Sequence, residues 1–337
     1  MSSSETPARI SSLRALLPEL EQALHSFTSS ASKFRIVRTV NPSPRDKVKT
    51  LFILDSSFNP PSRAHAWLAE SALRSFTKKR ESGAEERDGG CTLLLLYATS
   101  NADKAPSPAS FVQRIALMTI FAEDLSRILQ SRSRTQQQNT EAGGKLSQEM
   151  ADVSIDIGLT TEPYYTDKSR AISSAVPPVY AAKPSHVHLV GYDTLIRFCN
   201  PKYYSSYTPP LSALASFFDA GHGLRVTARP YDVEDESSRA FGTVGEQRAY
   251  VEGLREGRLE TEGFRREWGR SIELAVDVDE DAEEARKGKG VSSTRVRSAA
   301  KRGEWEVVEK LCTEGVAVWV RDQGLYAEDD SGKKMND

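Results

Sequence analysis

Apolar residues recur every three or four positions between residues 9 and 28, which predicts an amphipathic helix. Farther along, short apolar runs predict strands, and helical patterns such as Ala64–Phe76 and Phe111–Leu129 lie between them. The predicted strands are Val48–Leu54, Thr92–Tyr97, Val187–Val190, Leu224–Thr227 and Ile272–Val276. This alternation favours an α/β fold, with a mostly parallel sheet and helices on both faces.

Polar stretches interrupt the pattern near residues 78–90, 131–148 and 276–290, and we interpret them as insertions. Residues 328–337 are predicted to form a flexible, solvated tail. What is left has the size of one domain, so we assign residues 1–46 to an N-terminal helix and extension and residues 47–327 to a single elaborated domain.

The charge balance excludes several classes of partner. The 337 residues include 45 Lys and Arg and 47 Asp and Glu, which gives a net charge of −2. This balance provides no global basic field that would attract nucleic acid or a membrane surface. The chain has no apolar run near the roughly 20 residues of a membrane span and no apolar signal-peptide core at its start. Cys91, Cys199 and Cys312 are odd in number and widely spaced, which argues against a disulfide framework or a cysteine zinc site. We expect a cytoplasmic protein, with nuclear residence as an alternative.

The first candidate site is the polar turn that follows the first core strand, Ser57-Phe58-Asn59-Pro60-Pro61-Ser62-Arg63-Ala64-His65. Backbone N–H groups in such a turn can face an anion, and the next helix N-terminus adds partial positive charge. His65 would lie about one turn into that helix and face the same crevice. The alternative is an ordinary turn in which Ser62 caps the helix and His65 is partly buried.

A second candidate lies near the C-terminal end, at Val291-Ser292-Ser293-Thr294-Arg295-Val296-Arg297. Hydroxyl groups, free N–H groups and guanidinium groups would converge at this helix start, which suits triphosphate oxygens. Residues 286–302 contain seven cations and no carboxylate, although the protein is slightly acidic. The alternative is a capped helix with solvated arginines.

Two weaker signals occupy the middle of the chain. Gly191-Tyr192-Asp193 ends a predicted strand, where a carboxylate can accept hydrogen bonds from a ribose; the alternative is a plain turn. His186 and His188 would share one face of that strand and could mimic a metal pair. No cysteine or carboxylate at suitable spacing completes a metal site, so we predict a core or crevice-edge role for them.

In their order along the chain, the turn at residues 57–65, Gly191-Tyr192-Asp193 and the helix start at residues 291–297 resemble the nucleotidylyltransferase superfamily. Within it they are most similar to the nicotinamide mononucleotide adenylyltransferases, particularly their divergent fungal branch. Two further segments support the resemblance, Phe198-x-x-Pro201-x-x-Tyr204 and the ending Trp319-Val320-Arg321-Asp322-Gln323-Gly324-Leu325-Tyr326. The match spans Leu51 to Tyr326 in the right order, which makes it more specific than any one motif.

The resemblance implies a Rossmann-like nucleotidylyltransferase fold and an enzyme that uses ATP with Mg²⁺ to convert nicotinamide mononucleotide to NAD and pyrophosphate. It implies catalytic roles for His65, Arg297 and Lys104. Phosphate contacts are expected from Ser57, Phe58, Ser292, Ser293, Thr294 and Arg295. The remaining nucleotide contacts are expected from Ser56, Gly191, Asp193, Tyr204 and Arg229, with Glu162 or Tyr165 near the nicotinamide ring.

The sequence departs from the family at two positions. Relatives commonly have Gly where this chain has Asp55 or Ser56, and a carboxylate near phosphates needs an outward side chain or a Mg²⁺ ion. Ser62 replaces the first histidine of the family's His-x-x-His pair, as a small hydroxyl residue does in other eukaryotic members.

Several alternatives stay open at this stage. The chain could be a nucleotidylyltransferase with another nucleotide or acceptor, or a nucleotide-binding scaffold or ATPase without transferase activity. The preference between the amide and acid mononucleotides and the oligomeric state, a homo-oligomer included, are also left open by the sequence.

Overall fold

A computed structural model describes residues 5–83, 89–99, 109–139, 150–228, 241–275 and 291–327. Lys104 and Arg229, two of the expected phosphate ligands, lie outside the described residues. So do residues 276–290, residues 140–148 of the polar stretch predicted from 131 to 148, and the predicted tail at 328–337.

Seven strands form one sheet within the described residues. They are β1 (Phe34–Val40), β2 (Val48–Asp55), β3 (Gly90–Ala98), β4 (Ser154–Thr160), β5 (Ser185–Gly191), β6 (Gly223–Thr227) and β7 (Ile272–Ala275). Their order across the sheet is β1-β4-β3-β2-β5-β6-β7, and only β1 runs antiparallel to its neighbour. The mostly parallel sheet predicted from the sequence is confirmed.

The α-helices of the described residues lie between and after these strands. They are α1 (Glu5–Thr28), α2 (Arg63–Glu81), α3 (Phe111–Asn139), α4 (Tyr165–Ser173), α5 (Tyr192–Phe198), α6 (Ala215–Phe218), α7 (Val244–Glu256), α8 (Ser293–Lys301), α9 (Trp305–Leu311) and α10 (Glu314–Asp322).

The strand order identifies the place where a ligand would bind. From β2 the chain moves outward through β3 to β4, then returns to the other side of β2 and continues through β5, β6 and β7. The direction therefore reverses between β2 and β5. In open α/β sheets, ligands bind in the crevice at the carboxyl ends of the strands beside such a reversal.

Side-chain alternation along β2 separates two hydrophobic layers, because successive residues of a strand point to opposite faces. Phe52 and Leu54 belong to the core that includes residues of α1, α2, α3 and α10. Leu51 and Ile53 pack on the other face, in the cluster that contains residues of α4. The sheet is thus covered by helices on both faces, as predicted.

Two strands and two helix ends differ from the prediction. β1 and β4 were not among the predicted strands, although β4 alternates strictly between polar and apolar residues. All seven residues of β4 are buried, including Asp156. Arg45 neutralises the Asp156 carboxylate, and the Tyr180 hydroxyl donates a hydrogen bond to it. α2 extends to Glu81 and α3 to Asn139, so both predicted insertions begin inside helices.

The N-terminal helix α1 packs on the domain, as its apolar spacing predicts. Leu13, Leu20 and Phe27 are fully buried in the main core. Arg9 also donates hydrogen bonds to Glu123 and Asp124 of α3. Among the residues that the structure describes, no helix is long and apolar enough to cross a membrane.

Candidate active site

The turn after β2 lies at the reversal of strand order and adopts a strained backbone. Phe58 has φ of 44°, in the left-handed region that bulky residues rarely occupy, and its side chain is fully buried. Its ring lies 5.7 Å from the His65 ring, centre to centre. Such strain persists where the surrounding structure enforces it, and it is concentrated at functional sites.

His65 is held by the start of α2 rather than by the hydrophobic core. Ser62 is the N-cap residue, and its backbone N–H donates to His65 Nδ1 at 3.0 Å. Because a backbone N–H can only donate, Nδ1 accepts, and the proton of a neutral ring is on Nε2. Nε2 lies 2.9 Å from Ser56 Oγ at the mouth of the turn. The ring is therefore oriented with a donor toward the predicted phosphate site.

The backbone amides of the turn are used unequally. The Ser56 N–H donates to the carbonyl of Leu96 in β3 at 3.2 Å, so a ligand contact from Ser56 would come from its hydroxyl rather than from its amide. The Phe58 N–H faces Ser56 Oγ at a long 3.5 Å. Ser57 has no hydrogen-bond partner among the residues described, which leaves its amide and hydroxyl for a ligand.

Helix α8 docks its first turn directly on this turn. Ser293 Oγ donates to the carbonyl of Pro60 at 2.8 Å, and Arg297 Nη1 donates to the carbonyl of Asn59 at 2.8 Å. Ser292 caps the helix by accepting from the Arg295 N–H at 3.2 Å. The two main sequence motifs, separated by more than 230 positions, therefore meet at one point.

These contacts bring the N-terminus of α8 close to the turn that leads into the N-terminus of α2. Each brings unpaired N–H groups and the positive end of its helix dipole. Arg297 adds a guanidinium whose Nη2 also donates to Thr294 Oγ1 at 3.1 Å. Thr294 and Arg295 are exposed beside it. Such an arrangement of donors and positive charge can bind a polyanion.

On the other side of the reversal, β5 ends at Gly191, and α5 begins with the next residue. A Cβ atom at Gly191 would lie 2.6 Å from Asp193 Oδ1, so a larger residue would require this carboxylate to move. Asp193 also pairs with Arg197 at 2.9 Å and stays partly exposed. Its position at the carboxyl edge suits a ribose contact.

The aromatic residues near this edge differ in availability. The Tyr204 hydroxyl donates to the carbonyl of Phe198 at 3.0 Å, and burial raises its pKa above its usual range. The Tyr165 ring packs edge-on against His188 and Phe198. Its neighbour Tyr164 is 48% exposed and is the better candidate for stacking on a ligand ring.

Two contacts at the site were not anticipated. The buried Tyr326 hydroxyl donates to Asn59 Oδ1 at 2.8 Å, so the segment that follows α10 stabilises the turn after β2. Lys168 of α4 forms a buried ion pair with Asp55, the last residue of β2. The ending that contains Tyr326 carried a sequence signal, whereas Lys168 lies in no motif.

The histidines of β5 are buried, as predicted. His186 and His188 are at most 1% exposed, and the His186 ring stacks on His222 at 4.1 Å. Burial, and secondarily the neighbouring His222, lowers the pKa of His186 to about 3. Burial lowers the pKa of His222 to about 4. Neutral imidazoles at neutral pH are thus part of the core.

Within the described part of the chain, no group of three or more His, Cys, Asp or Glu side chains could hold a metal ion. Cys91, Cys199 and Cys312 form no disulfide with one another.

Comparisons with known proteins give one relative of similar length. The chain is 27% identical over 288 residues to the Schizosaccharomyces pombe protein named "Putative nicotinamide mononucleotide adenylyltransferase", covering 86% of this chain and 89% of that protein. No family model matches the sequence.

Among solved structures, the Plasmodium falciparum nicotinic acid mononucleotide adenylyltransferase in complex with NaAD aligns with a TM-score of 0.41 and 12% identity, over 83% of this chain and 98% of that one. The same enzyme in complex with APC aligns with a TM-score of 0.40 over the same shares. The sequence similarity to the fission yeast protein covers 86% of this chain. The chain is therefore a divergent relative of that protein, whose name assigns it to the nicotinamide mononucleotide adenylyltransferases.

Proposed function

We propose that this protein transfers the adenylyl group of ATP to nicotinamide mononucleotide, giving NAD and pyrophosphate. The observation that carries the proposal is the docking of α8 on the turn after β2. Through Ser293 and Arg297 it aligns two helix N-termini, a histidine donor and a guanidinium on one anion site. The similarity to the fission yeast protein supports the choice of reaction.

The reaction is a single in-line displacement without a covalent intermediate. The 5′-phosphate of the mononucleotide has a second pKa of about 6, so it is already a dianion at neutral pH and needs no general base. The barrier comes from bringing two polyanions together and from the charge that develops on the leaving pyrophosphate. Cations and N–H groups are the groups that lower such a barrier.

Each side chain has a role that follows from its chemistry. His65 donates from Nε2 to a phosphate oxygen after releasing Ser56. Arg297 keeps donors free beyond its bonds to Asn59 and Thr294, because a guanidinium has five N–H groups. Ser57 and the first turn of α8, with Ser292, Ser293, Thr294 and Arg295, complete the phosphate contacts. We assign Lys104 and Arg229 to the same polyphosphate on sequence grounds alone.

The nucleoside parts would lie along the carboxyl edge of the sheet. Asp193 accepts from ribose hydroxyls, and Gly191 lets the substrate approach the main chain beside it. The nicotinamide ring stacks on Tyr164, which is exposed, whereas Tyr165 is packed against His188 and Phe198. Tyr204 shapes this pocket through its packing, because its hydroxyl is already bonded.

Mg²⁺ fits this site as a companion of ATP. In nucleotide sites the ion is held by substrate phosphates, water and one or two carboxylates. Of the carboxylates at this edge, Asp193 is partly exposed and can contribute, whereas Asp55 is paired with Lys168. When bound, the ion would neutralise charge on the triphosphate.

The test is a coupled assay in which alcohol dehydrogenase reduces newly formed NAD. The purified protein is given ATP and Mg²⁺ with nicotinamide mononucleotide. A parallel reaction contains nicotinic acid mononucleotide instead, and its dinucleotide product is detected directly. We expect NAD and pyrophosphate in equal amounts. If pyrophosphate were released only with another acceptor or another nucleotide, the enzyme would be a nucleotidylyltransferase with substrates other than those proposed. ATP hydrolysis or binding without dinucleotide formation would overturn the transferase assignment.

A further inference from the structure

The carboxylate that ends β2 is paired inside the protein. Lys168 Nζ donates to Asp55 Oδ2, and the two side chains are only 5% and 10% exposed. The Lys168 ammonium also lies 5.2 Å from the centre of the Tyr165 ring. This ion pair sits at the strand-order reversal, one residue before the turn that begins at Ser56.

Stability alone does not account for this pair. Removing two charges from water costs several kcal/mol for each ion, and the attraction between them often fails to repay it. Replacement by a hydrophobic pair of similar volume is often neutral or stabilising. A buried ion pair at a ligand crevice is therefore a candidate for a functional role.

An isolated carboxylate here would oppose the binding of phosphates. Asp55 is adjacent in sequence to Ser56 and Ser57, and at distances below about 10 Å an unpaired negative charge repels a phosphate dianion. By strand alternation Asp55 shares the face of Leu51 and Ile53, which is the α4 face, and Lys168 reaches it from that helix.

Lys168 also links the two sides of the proposed site. It lies in the first turn of α4, and this helix begins directly after Tyr164, the candidate stacking residue. The next residue, Ser169, fixes the helix to β5 through a 2.8 Å hydrogen bond with His188 Nε2. The ion pair thus connects the segment that would hold the nicotinamide ring with the turn that would hold phosphate.

We propose that Lys168 is a positioning and specificity residue: it cancels the charge of Asp55, so that the crevice accepts the phosphate of the mononucleotide. This inference rests on the proposed function. It assigns a role to a lysine outside every motif and explains how a carboxylate is accommodated next to a phosphate site.

The test compares single and double variants in the full-length protein. Lys168→Met leaves Asp55 unpaired, and we expect KM for the mononucleotide to rise roughly tenfold or more, with a smaller change in kcat. Asp55→Asn leaves a cation instead, and KM is expected to stay level or fall. Asp55→Asn with Lys168→Met, and Lys168→Arg alone, should bring KM back to within about threefold of the wild type. The control is Lys79→Met, which breaks the half-exposed ion pair between Lys79 of α2 and Glu273 of β7.

The sign of the charge separates this role from a purely structural one. A structural ion pair predicts that both single variants lose activity together, in proportion to their loss of thermal stability, and that result would overturn the proposal. So would an unchanged KM in a folded Lys168→Met protein. If Lys168→Met does not fold, equal KM increases in Asp55→Asn and the double variant would overturn it. The dinucleotide synthesis of the wild-type protein is measured first, because its absence would refute the proposed function rather than the role of Lys168.

Discussion

Arg297 donates a hydrogen bond of 2.8 Å to the backbone carbonyl of Asn59, across 238 positions of the chain. The bond connects α8 to the turn that orients His65, and it places the two cationic motifs on one side of the molecule. A guanidinium held in this way is preorganised, because it need not move far to meet a phosphate oxygen. Preorganised donors are the main source of charge stabilisation in transfer reactions.

The first prediction concerns His65, whose Nε2 proton faces the phosphate site. His65→Ala is expected to lower kcat by 10²–10³-fold, since removal of one preorganised donor costs about 3–4 kcal/mol. The measurement is the coupled assay, with circular dichroism to confirm the fold. His25→Ala, at an exposed position of α1, is the control and should keep full activity. Near-wild-type turnover of His65→Ala would remove His65 from the mechanism.

The second prediction concerns Arg297. Arg297→Ala should abolish adenylyl transfer, and Arg297→Lys should restore little, because an ammonium cannot bond Asn59, Thr294 and a phosphate in the same fixed geometry. Initial rates at saturating ATP provide the measurement. Arg302→Ala, which breaks an exposed pair with Glu304 just after α8, serves as the control. A fully active Arg297→Lys enzyme would contradict the need for a guanidinium.

The third prediction tests how the end of the chain supports the site. Tyr326→Phe removes the buried hydrogen bond to Asn59 Oδ1 and should cost about 1–2 kcal/mol of unfolding free energy. Because Asn59 belongs to the turn, kcat should fall severalfold as well. Urea unfolding and the coupled assay measure the two effects. Tyr207→Phe, at a 52% exposed position, should change neither. Loss of stability with unchanged kcat would limit Tyr326 to a structural role.

The fourth prediction is a loss of stability in mild acid. The folded-state pKa values of His186 and His222, about 3 and about 4, lie below the ordinary 6.5, so the unfolded chain binds more protons between these values. Stability is therefore complete above pH 6.5 and decreases as the pH falls. At pH 5 the loss is about 2 kcal/mol for each histidine.

Urea unfolding at pH 8, 6.5 and 5 checks this dependence. His186→Gln should be less stable than the wild type at pH 8 but should lose less stability on acidification. His25→Gln, on the surface of α1, should follow the wild type at every pH. Identical pH slopes for His186→Gln and the wild type would show that this histidine is not a source of the acid sensitivity.

The sequence determined much of the architecture, because the features that encode it are local. Apolar spacing marked α1 and five of the seven strands, and small polar residues marked the starts of α2 and α8. The alternation in β4 was equally present but was hidden by a buried Asp156, whose charge only the distant Arg45 and Tyr180 accommodate.

Only the tertiary structure decided which of these local features act together. Ser62 could be recognised as a helix cap from its own neighbours, but the hydrogen bonds of Ser293 and Arg297 to the turn after β2 depend on how the sheet orders its strands. The partner of Asp55 is a lysine on a different crossover, with no motif to mark it. Pairing across such distances is set by packing and strand order, which no local pattern encodes.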